Sequence, residues 1–390
     1  MKLINDLARR DDVRAALTTF SARLDSIVEQ IISIQQIPAP TFAEKRRACF
    51  IEDQFRELGL EDVSRDGLNN VYGKLPGSSA ERPPIVISAH LDTVFPIDTD
   101  LTIDREGPIV YGPGIGDNST GVAGLLQTAY AIREFELAHT ADIYFVANVG
   151  EEGLGDLRGM RAVVERFGGQ ASYIVVEGGL FGKLIHQAVG VRRYHIKVST
   201  PGGHSWGGFG VASAIHILGH LIVDIDNLSV PAIPKTTYNV GIINGGLSIN
   251  TIANSAELWL DLRSEGPEAL AQLVKAAEEI VHARNRKYSL EGNAVVITME
   301  KVGDRPAGSI SRQSPLVALA DAALRVVSNE EVDHIVSSTD ANIPLSRGYQ
   351  AVCLGLTHSG NSHRPDEFMD ITHLPAGLSQ LLLVALAAAS

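Results

Sequence analysis

Five segments of this chain place a candidate metal ligand where a strand should give way to a loop. They are His90 in VISAHLDTV, Asp117 in GPGIGDNSTG, Glu152 in FVANVGEEGLG, Glu177 in YIVVEGG and His363 in SGNSHRPDEF. Two imidazoles, two single carboxylates and a Glu-Glu pair form the donor set that a two-metal hydrolytic centre needs. A single histidine after a strand is ordinarily structural. Five segments with matching local context carry more weight than any one of them.

The neighbours of these residues suggest a division of labour. On an extended chain the side chains of His90 and Asp92 point the same way, so Asp92 could accept the second N–H of His90 and fix its tautomer. Asp117 lies among glycines that permit unusual backbone conformations. Its two oxygens could bridge a pair of ions. The loop lacks the GK[ST] ending of a phosphate cradle and does not fit a dinucleotide fingerprint. Glu151 and Glu152, adjacent at a buried strand end, would repel each other unless cations compensate. One could bind metal while the other handles protons; a solvated acidic turn is the plainer alternative. Glu177 alone would pass for a loop acid, and His363 has His358 and His373 as nearby competitors. His204, in STPGGHSWGG, is either a loop histidine with no task or a transition-state donor. Asn250 and Arg263 lie further on, in SINTIANSAELWLDLRS. Arg263 could clamp a substrate carboxylate with its forked guanidinium, or simply pair with Asp261 or Glu265.

The elements that must hold these residues alternate. Residues 13–36 and 43–58 have helical spacing, broken by IPAPT. Strands are expected at NNVYGKL, PPIVISAH, ADIYFVANVG and SYIVVEGG, with helices at STGVAGLLQTAYAIREF and MRAVVERFG between them. Ser119 or Asn118 would cap the first of those helices. Apolar strands alternating with helices predict a mixed, mostly parallel sheet flanked by helices, an α/β fold with its site beyond the carboxyl ends of the strands. From RRYHIKVST to NAVVITME the order becomes βαββαβ, a small two-layer domain. After about residue 303 the earlier style resumes. The reading is a discontinuous metal-binding domain, residues 1–189 and 304–390, with an insert at 190–303.

Composition sets outer limits. The chain has 390 residues, 45% hydrophobic and 20% charged, which suits a two-domain globular enzyme. A net charge of −13 argues against nucleic acid or an anionic membrane as partner. Two cysteines, Cys49 and Cys353, cannot build a disulfide framework. The N-terminus reads as a polar helix without a signal-peptide core, and LLLVALAAAS at 381–390 is too short to span a bilayer. The expected location is the cytoplasm.

Taken together, SAHLDTV, GIGDNSTG, GEEGLG, VVEGG and NSHRPDEF resemble the dinuclear zinc exopeptidases and deacylases. That family includes glutamate carboxypeptidase, acetylornithine deacetylase, succinyl-diaminopimelate desuccinylase, aminoacylase and peptidase T. The likeness runs over nearly the whole chain, PGGHSW and STDAN at 338–342 included. It implies two Zn2+ per chain, with Mn2+ or Co2+ also accommodated. His90 and Glu177 would hold one ion, Glu152 and His363 the other, and Asp117 would bridge them. Glu151 would be the general base and Asp92 would orient His90. The insert would serve as lid and dimerisation domain, sending His204 to the partner's site in a homodimer, with Asn250 and Arg263 binding a substrate carboxylate. Many members have Asp where this chain has Asn118, though Asn also occurs there. A cis Asp117–Asn118 peptide is implied as well. The expected activity is amide-bond hydrolysis of small peptides, carboxypeptidase-like, or of N-acyl amino acids. The rivals are a metal-dependent binding protein without catalysis and a nucleotide-binding α/β protein. The spare carboxylate Glu151 counts against the first, and the missing phosphate fingerprint against the second.

Overall fold

Strand Ile85–His90 lies between Ile143–Asn148 and Ser172–Glu177, parallel to both, and Ala351–Gly355 runs parallel on the far side of Ser172–Glu177. The register sets His90 opposite Asn148 and Glu177 opposite Gly355. Antiparallel strands extend this centre outward: Val71–Leu75 and Glu61–Arg65 on one side, Lys183–Ala188 on the other, with Asp333–Ser337 parallel beside the last. This is the mixed, centrally parallel sheet expected of the alternating pattern.

The chain is a computed structural model that describes residues 2–290, 294–328 and 331–390. It divides into two units, Met1–Ala188 with Ser309–Ser390, and Val189–Gly308.

The central strands of the larger unit are apolar throughout because both faces are covered. Ile85, Ile87 and Ala89 enter one core with residues of helices Gly121–Glu134 and Leu374–Ala388. Val86, one step out of phase, enters a second core with Met160, Val163 and Val164 of helix Arg158–Phe167. Every residue from Leu381 to Ala387 is buried. Each leucine side chain buried there contributes roughly 2–3 kcal/mol. Among the described residues, no helix is long and apolar enough to cross a membrane.

Three features depart from the expectation. The helix expected over 13–36 is two helices, Asp11–Ala22 and Leu24–Gln35, separated at Arg23. No Gly or Pro marks that break, and the Arg23 guanidinium lies 3.9 Å from the centroid of the Tyr130 ring. A second small sheet also forms, pairing Asp104–Glu106, Ile109–Tyr111, Phe368–Asp370 and His358–Gly360 in that order. Its three-residue strands are too short for periodicity to reveal. Finally, Lys183–Ala188 and Asp333–Ser337 are sheet strands that the alternation did not bring out.

In the smaller unit, Thr236–Gly245, Ser255–Ser264, Gly190–Ser199 and Val296–Arg305 form an antiparallel sheet in that spatial order. Ala256, Leu258, Leu260 and Leu262 alternate into a core completed by helices Ala214–Asp226 and Pro267–Leu290. The chain order is βαββαβ. Asn293 of the strand expected over 293–300 lies outside the described residues, as does Met1 of the N-terminal helix.

A buried arginine ties the first helices to the end of the central strand. Arg47, on helix Lys45–Glu57, donates to three carbonyls: Ile37 at 2.9 Å, Leu91 at 2.8 Å and Gln35 at 3.2 Å. Burial lowers its pKa to about 10, with the Asp92 charge opposing that shift. Arg47→Met would keep the bulk and leave three buried acceptors unsatisfied. It is expected to cost about 2–4 kcal/mol, read as a lower urea midpoint with unchanged slope. An unaltered midpoint would show that these bonds do not hold the helix layer in place.

Candidate metal centre

Parallel strands end on one edge of a sheet, so the residues that follow them converge. His90 is the last residue of its strand, Glu177 the last of the next, and Glu151-Glu152 follow Ile143–Asn148 by two residues. His363 follows Ala351–Gly355 through a longer loop. Asp117 arrives from the segment that leads into helix Gly121–Glu134.

The side chains meet. His90 Nε2 is 3.1 Å from Asp117 Oδ1 and 3.7 Å from Glu177 Oε2. His363 Nε2 is 3.4 Å from Asp117 Oδ2 and 3.0 Å from Glu152 Oε1. Among the described residues two donor groups result, His90/Asp117/Glu177 and Asp117/Glu152/His363, each with its ligand atoms within 4.8 Å of one another. Asp117 belongs to both, one oxygen toward each imidazole. The donors are nitrogen and oxygen, without thiolate. Cys353 is buried, and that burial keeps its thiol well above its ordinary pKa.

The electrostatics are those of a cation site. Burial pushes Glu177 up to about 7, and the Asp117 and Asp340 charges add to the effect against the pull of His90. His363 is raised to about 10 by Asp117 and Glu152. Burial works to lower His90, but Asp117, Asp92 and Glu177 outweigh it and raise the group well above the usual imidazole range. Asp117 goes the other way: despite burial, His363 and His90 hold it below the ordinary carboxylate range. A group of acids and imidazoles this dry suits divalent cations.

Asp92 acts on His90 and also has nearer partners that its spacing does not suggest. His90 Nδ1 lies 3.0 Å from the backbone carbonyl of Asp92 and 3.7 Å from its carboxylate. The strand ends at His90, so the two-residue alternation no longer governs Asp92. Its carboxylate accepts the N–H of Glu151 at 3.0 Å, the N–H of Glu152 at 3.0 Å and the Thr41 hydroxyl at 2.8 Å. The backbone carbonyl still sets the imidazole, with Nδ1–H turned away and Nε2 toward the donor group. Asp92 itself anchors the acidic pair, and Glu151 is buried beside Glu152.

The Asp117–Asn118 peptide is cis. Asn118, not Ser119, caps the following helix: its Oδ1 accepts Gly121 N–H at 3.0 Å while its Nδ2 donates to the Val176 carbonyl at 2.9 Å. Asn118 is thus a tie between the Asp117 loop and the Glu177 strand. The two run so close that a Cβ on Gly178 would lie 1.9 Å from the Gly116 carbonyl oxygen.

Two buried acids near the centre escape a reading of spacing. Asp340, in the STDAN segment, accepts from Asn148 Nδ2 at 2.6 Å. Glu367, four residues after His363, accepts three backbone N–H groups of the Asp117 loop. A glycine-rich loop with unpaired N–H groups beside an acid in HRPDEF was the available signal. The competing histidines are placed elsewhere: His358 and His373 pack on each other at 4.5 Å and on Phe181, outside both donor groups.

In the smaller unit His204 and Asn250 are neighbours. Strand Gly203–His204 pairs with Thr251–Ile252, and the Asn250 carbonyl accepts Ser205 N–H at 3.0 Å. His204 is exposed, and its Nδ1 accepts Trp206 N–H at 3.2 Å and Gly207 N–H at 3.3 Å, so its proton sits on Nε2. Arg263 does not join them. It lies at the other end of strand Ser255–Ser264, roughly 25 Å away along the strand. There its Nε binds Asp261 Oδ2 at 2.5 Å, an oxygen pair that Asp261 shares with Arg193.

The chain is similar to known proteins over most of its length. Carboxypeptidase G2 of Pseudomonas sp. (strain RS-16) is 25% identical over 95% of this chain and 90% of its own length. Succinyl-diaminopimelate desuccinylase of Corynebacterium glutamicum is 26% identical over 92% of this chain and 97% of its own. The crystal structure of a tripeptidase from Staphylococcus aureus has the same fold, with a TM-score of 0.79 at 23% identity over 94% of this chain and 99% of that one. Residues 86–387, which include all five candidate-ligand segments, match peptidase family M20/M25/M40. The chain therefore belongs to peptidase family M20/M25/M40, whose members are metal-dependent, and is a hydrolase of peptide or acyl amide bonds.

Proposed function

We propose that this chain is a carboxypeptidase-like exopeptidase with two metal ions per chain. The observation that carries the reading is Asp117, shared between two donor groups with Glu151 buried alongside. His90 and Glu177 would hold one ion and Glu152 and His363 the other, with Asp117 bridging. Zinc suits these nitrogen and oxygen donors, and manganese or cobalt would be accepted. When bound, such ions supply Lewis acidity and an acidified water. Glu151 would serve as the general base, taking a proton from the attacking water and returning it to the leaving amine. Asp92 holds Glu151 in place through its backbone N–H. N-acyl-amino-acid deacylation is the second reading, supported by the desuccinylase among the relatives.

We extend the proposal to a homodimer formed through the smaller unit. Strand Thr236–Gly245 is a sheet edge with Ile242 and Ile243 more than half exposed, a surface suited to pairing with a second copy. His204 then offers its Nε2–H to the oxyanion in the partner's site, and Asn250 binds a substrate carboxylate. Arg263 is proposed as a second donor to a substrate carboxylate through its terminal NH2 groups, its Nε being held by Asp261. The cytoplasm is the proposed location.

Reconstituted protein should contain two ions per chain and lose hydrolysis of dipeptides or N-acyl amino acids to a chelator. Full activity with one ion or none would refute the two-metal reading. Glu151→Gln is expected to retain the fold and both ions while kcat falls by at least about 100-fold. Near-normal turnover with both ions present would remove Glu151 from the role.

Metal binding should also release protons. His363 at about 10 and His90, raised well above the usual imidazole range, are protonated at pH 7, and Glu177 at about 7 is half so. The two cations together displace all three, so about two to three protons leave at pH 7. Release should shrink as pH rises toward 10. Calorimetry in buffers of different ionisation enthalpy reads the number, and zero release at pH 7 would contradict this charge distribution.

Mixing His204→Ala with Glu151→Gln chains should restore activity, because a mixed dimer has one site with both residues intact. Subunit exchange without any returning activity would exclude donation between chains.

A further inference from the structure

Glu367 is bonded to the Asp117 loop at four places. Its carbonyl oxygen accepts Gly112 N–H at 2.8 Å. Its Oε2 accepts Gly114 N–H at 3.2 Å. Its Oε1 accepts Gly116 N–H at 2.9 Å and Asp117 N–H at 2.8 Å. The side chain is fully buried. No other residue is bonded to so many of the N–H groups from Gly112 to Asp117 among the described contacts; Ile115 N–H goes to Gly112 within the loop.

The same residue is fixed to the other ligand loop. Glu367 N–H donates to the Arg364 carbonyl at 3.1 Å, closing the turn that follows His363. Phe368, the next residue, pairs with Tyr111 in the small sheet, and their rings pack at 5.9 Å. Asp117 and His363 are 246 positions apart in sequence (363 − 117), yet both hang from one short junction centred on Glu367. His90 and Glu177 need no such device, since each is the last residue of a central strand.

We infer that Glu367 is a positioning residue that sets the spacing of Asp117 against His363, and so governs occupancy of the Asp117/Glu152/His363 group more than of the His90/Asp117/Glu177 group. This rests on the two-metal reading above. The isosteric change Glu367→Gln separates positioning from bulk. An amide oxygen in the Oε1 place keeps the bonds from Gly116 and Asp117, but its NH2 then faces the Gly114 N–H, donor against donor. Glu367→Ala removes all three side-chain bonds.

The experiment is a Co2+ titration of metal-free protein, followed by visible absorption and calorimetry, for wild type, Glu367→Gln and Glu367→Ala. A urea midpoint is taken for each metal-free form. In the wild type two ions should bind. In Glu367→Gln the weaker step should lose about 10–100-fold in affinity, as is usual when a group that orients a ligand is removed. The tighter step should change by less than about a third of that on a logarithmic scale. Glu367→Ala should lose more in the weaker step than Glu367→Gln. A merely structural role would lower the urea midpoint and leave the ratio of the two affinities unaltered. That result, or Gln and Ala variants that bind two ions as the wild type does, overturns the inference while leaving the two-metal reading intact. A wild type that binds fewer than two ions overturns the two-metal reading itself.

Discussion

Concentrated negative charge at one edge of a dry sheet is the constraint on which this structure depends. Asp92, Glu151, Glu152, Glu177, Asp340 and Glu367 are all buried, and Asp117 is largely so. Two like charges 4 Å apart repel by about 4 kcal/mol at the effective dielectric of a protein. The fold deals with these acids in two ways, and the difference sorts them. Asp92 and Glu367 are surrounded by backbone N–H groups, and Asp340 by the Asn148 amide. They hold parts of the chain together. Asp117, Glu152 and Glu177 face imidazoles instead. An imidazole partner is what a candidate ligand set looks like from the chain's side, and burial, with the Asp117 and Asp340 charges, drives Glu177 to about 7 against the pull of His90.

This sorting explains how the scaffold and the centre are coupled. The parallel strands fix His90 and Glu177 by register. Asp92 carries the placement of His90's strand across to Glu151 and Glu152 through two N–H bonds. Arg47 holds the Leu91 carbonyl between them, linking the helix layer to the same point. The centre therefore rests on acids and one buried cation whose partners are backbone groups, and backbone groups move only with their strands.

Much of this was legible from residue order. Apolar runs bounded by loops gave the central strands, because a strand covered on both faces must be apolar along its whole length, as in Ile85–His90. Among the candidate ligands, His90, Glu152 and Glu177 stood out because each closes or closely follows such a run, whereas Asp117 and His363 were marked only by their loops. What lay hidden depended on partners distant in sequence or on very short elements. The Glu367 bond to Gly116 spans 251 positions, and its donors are backbone N–H groups that carry no side-chain signature. Asp92 was legible as important but not in its nearer partners, since the extended geometry that pairs it with His90 stops one residue too soon. The break at Arg23 lacks a breaker residue, and Arg263 reads equally well as a substrate clamp or as the partner of Asp261 that the structure gives it.

The two donor groups are not equivalent, and the fold shows why. His90 is 2% exposed on its side chain, while His363 is 53% exposed. The first group is built from strand ends within the sheet; the second depends on a loop joined to the rest through Glu367 and the small sheet. An ion in the first group would sit in a dry, rigid setting, and one in the second would face solvent on its His363 side. A reacting amide needs such an open side, because a centre closed all round could bind ions but admit no carbonyl. Asp117, with one oxygen toward each imidazole, joins the rigid half to the accessible half. On the two-metal reading, the position of this one carboxylate would decide whether both groups can serve the same bond.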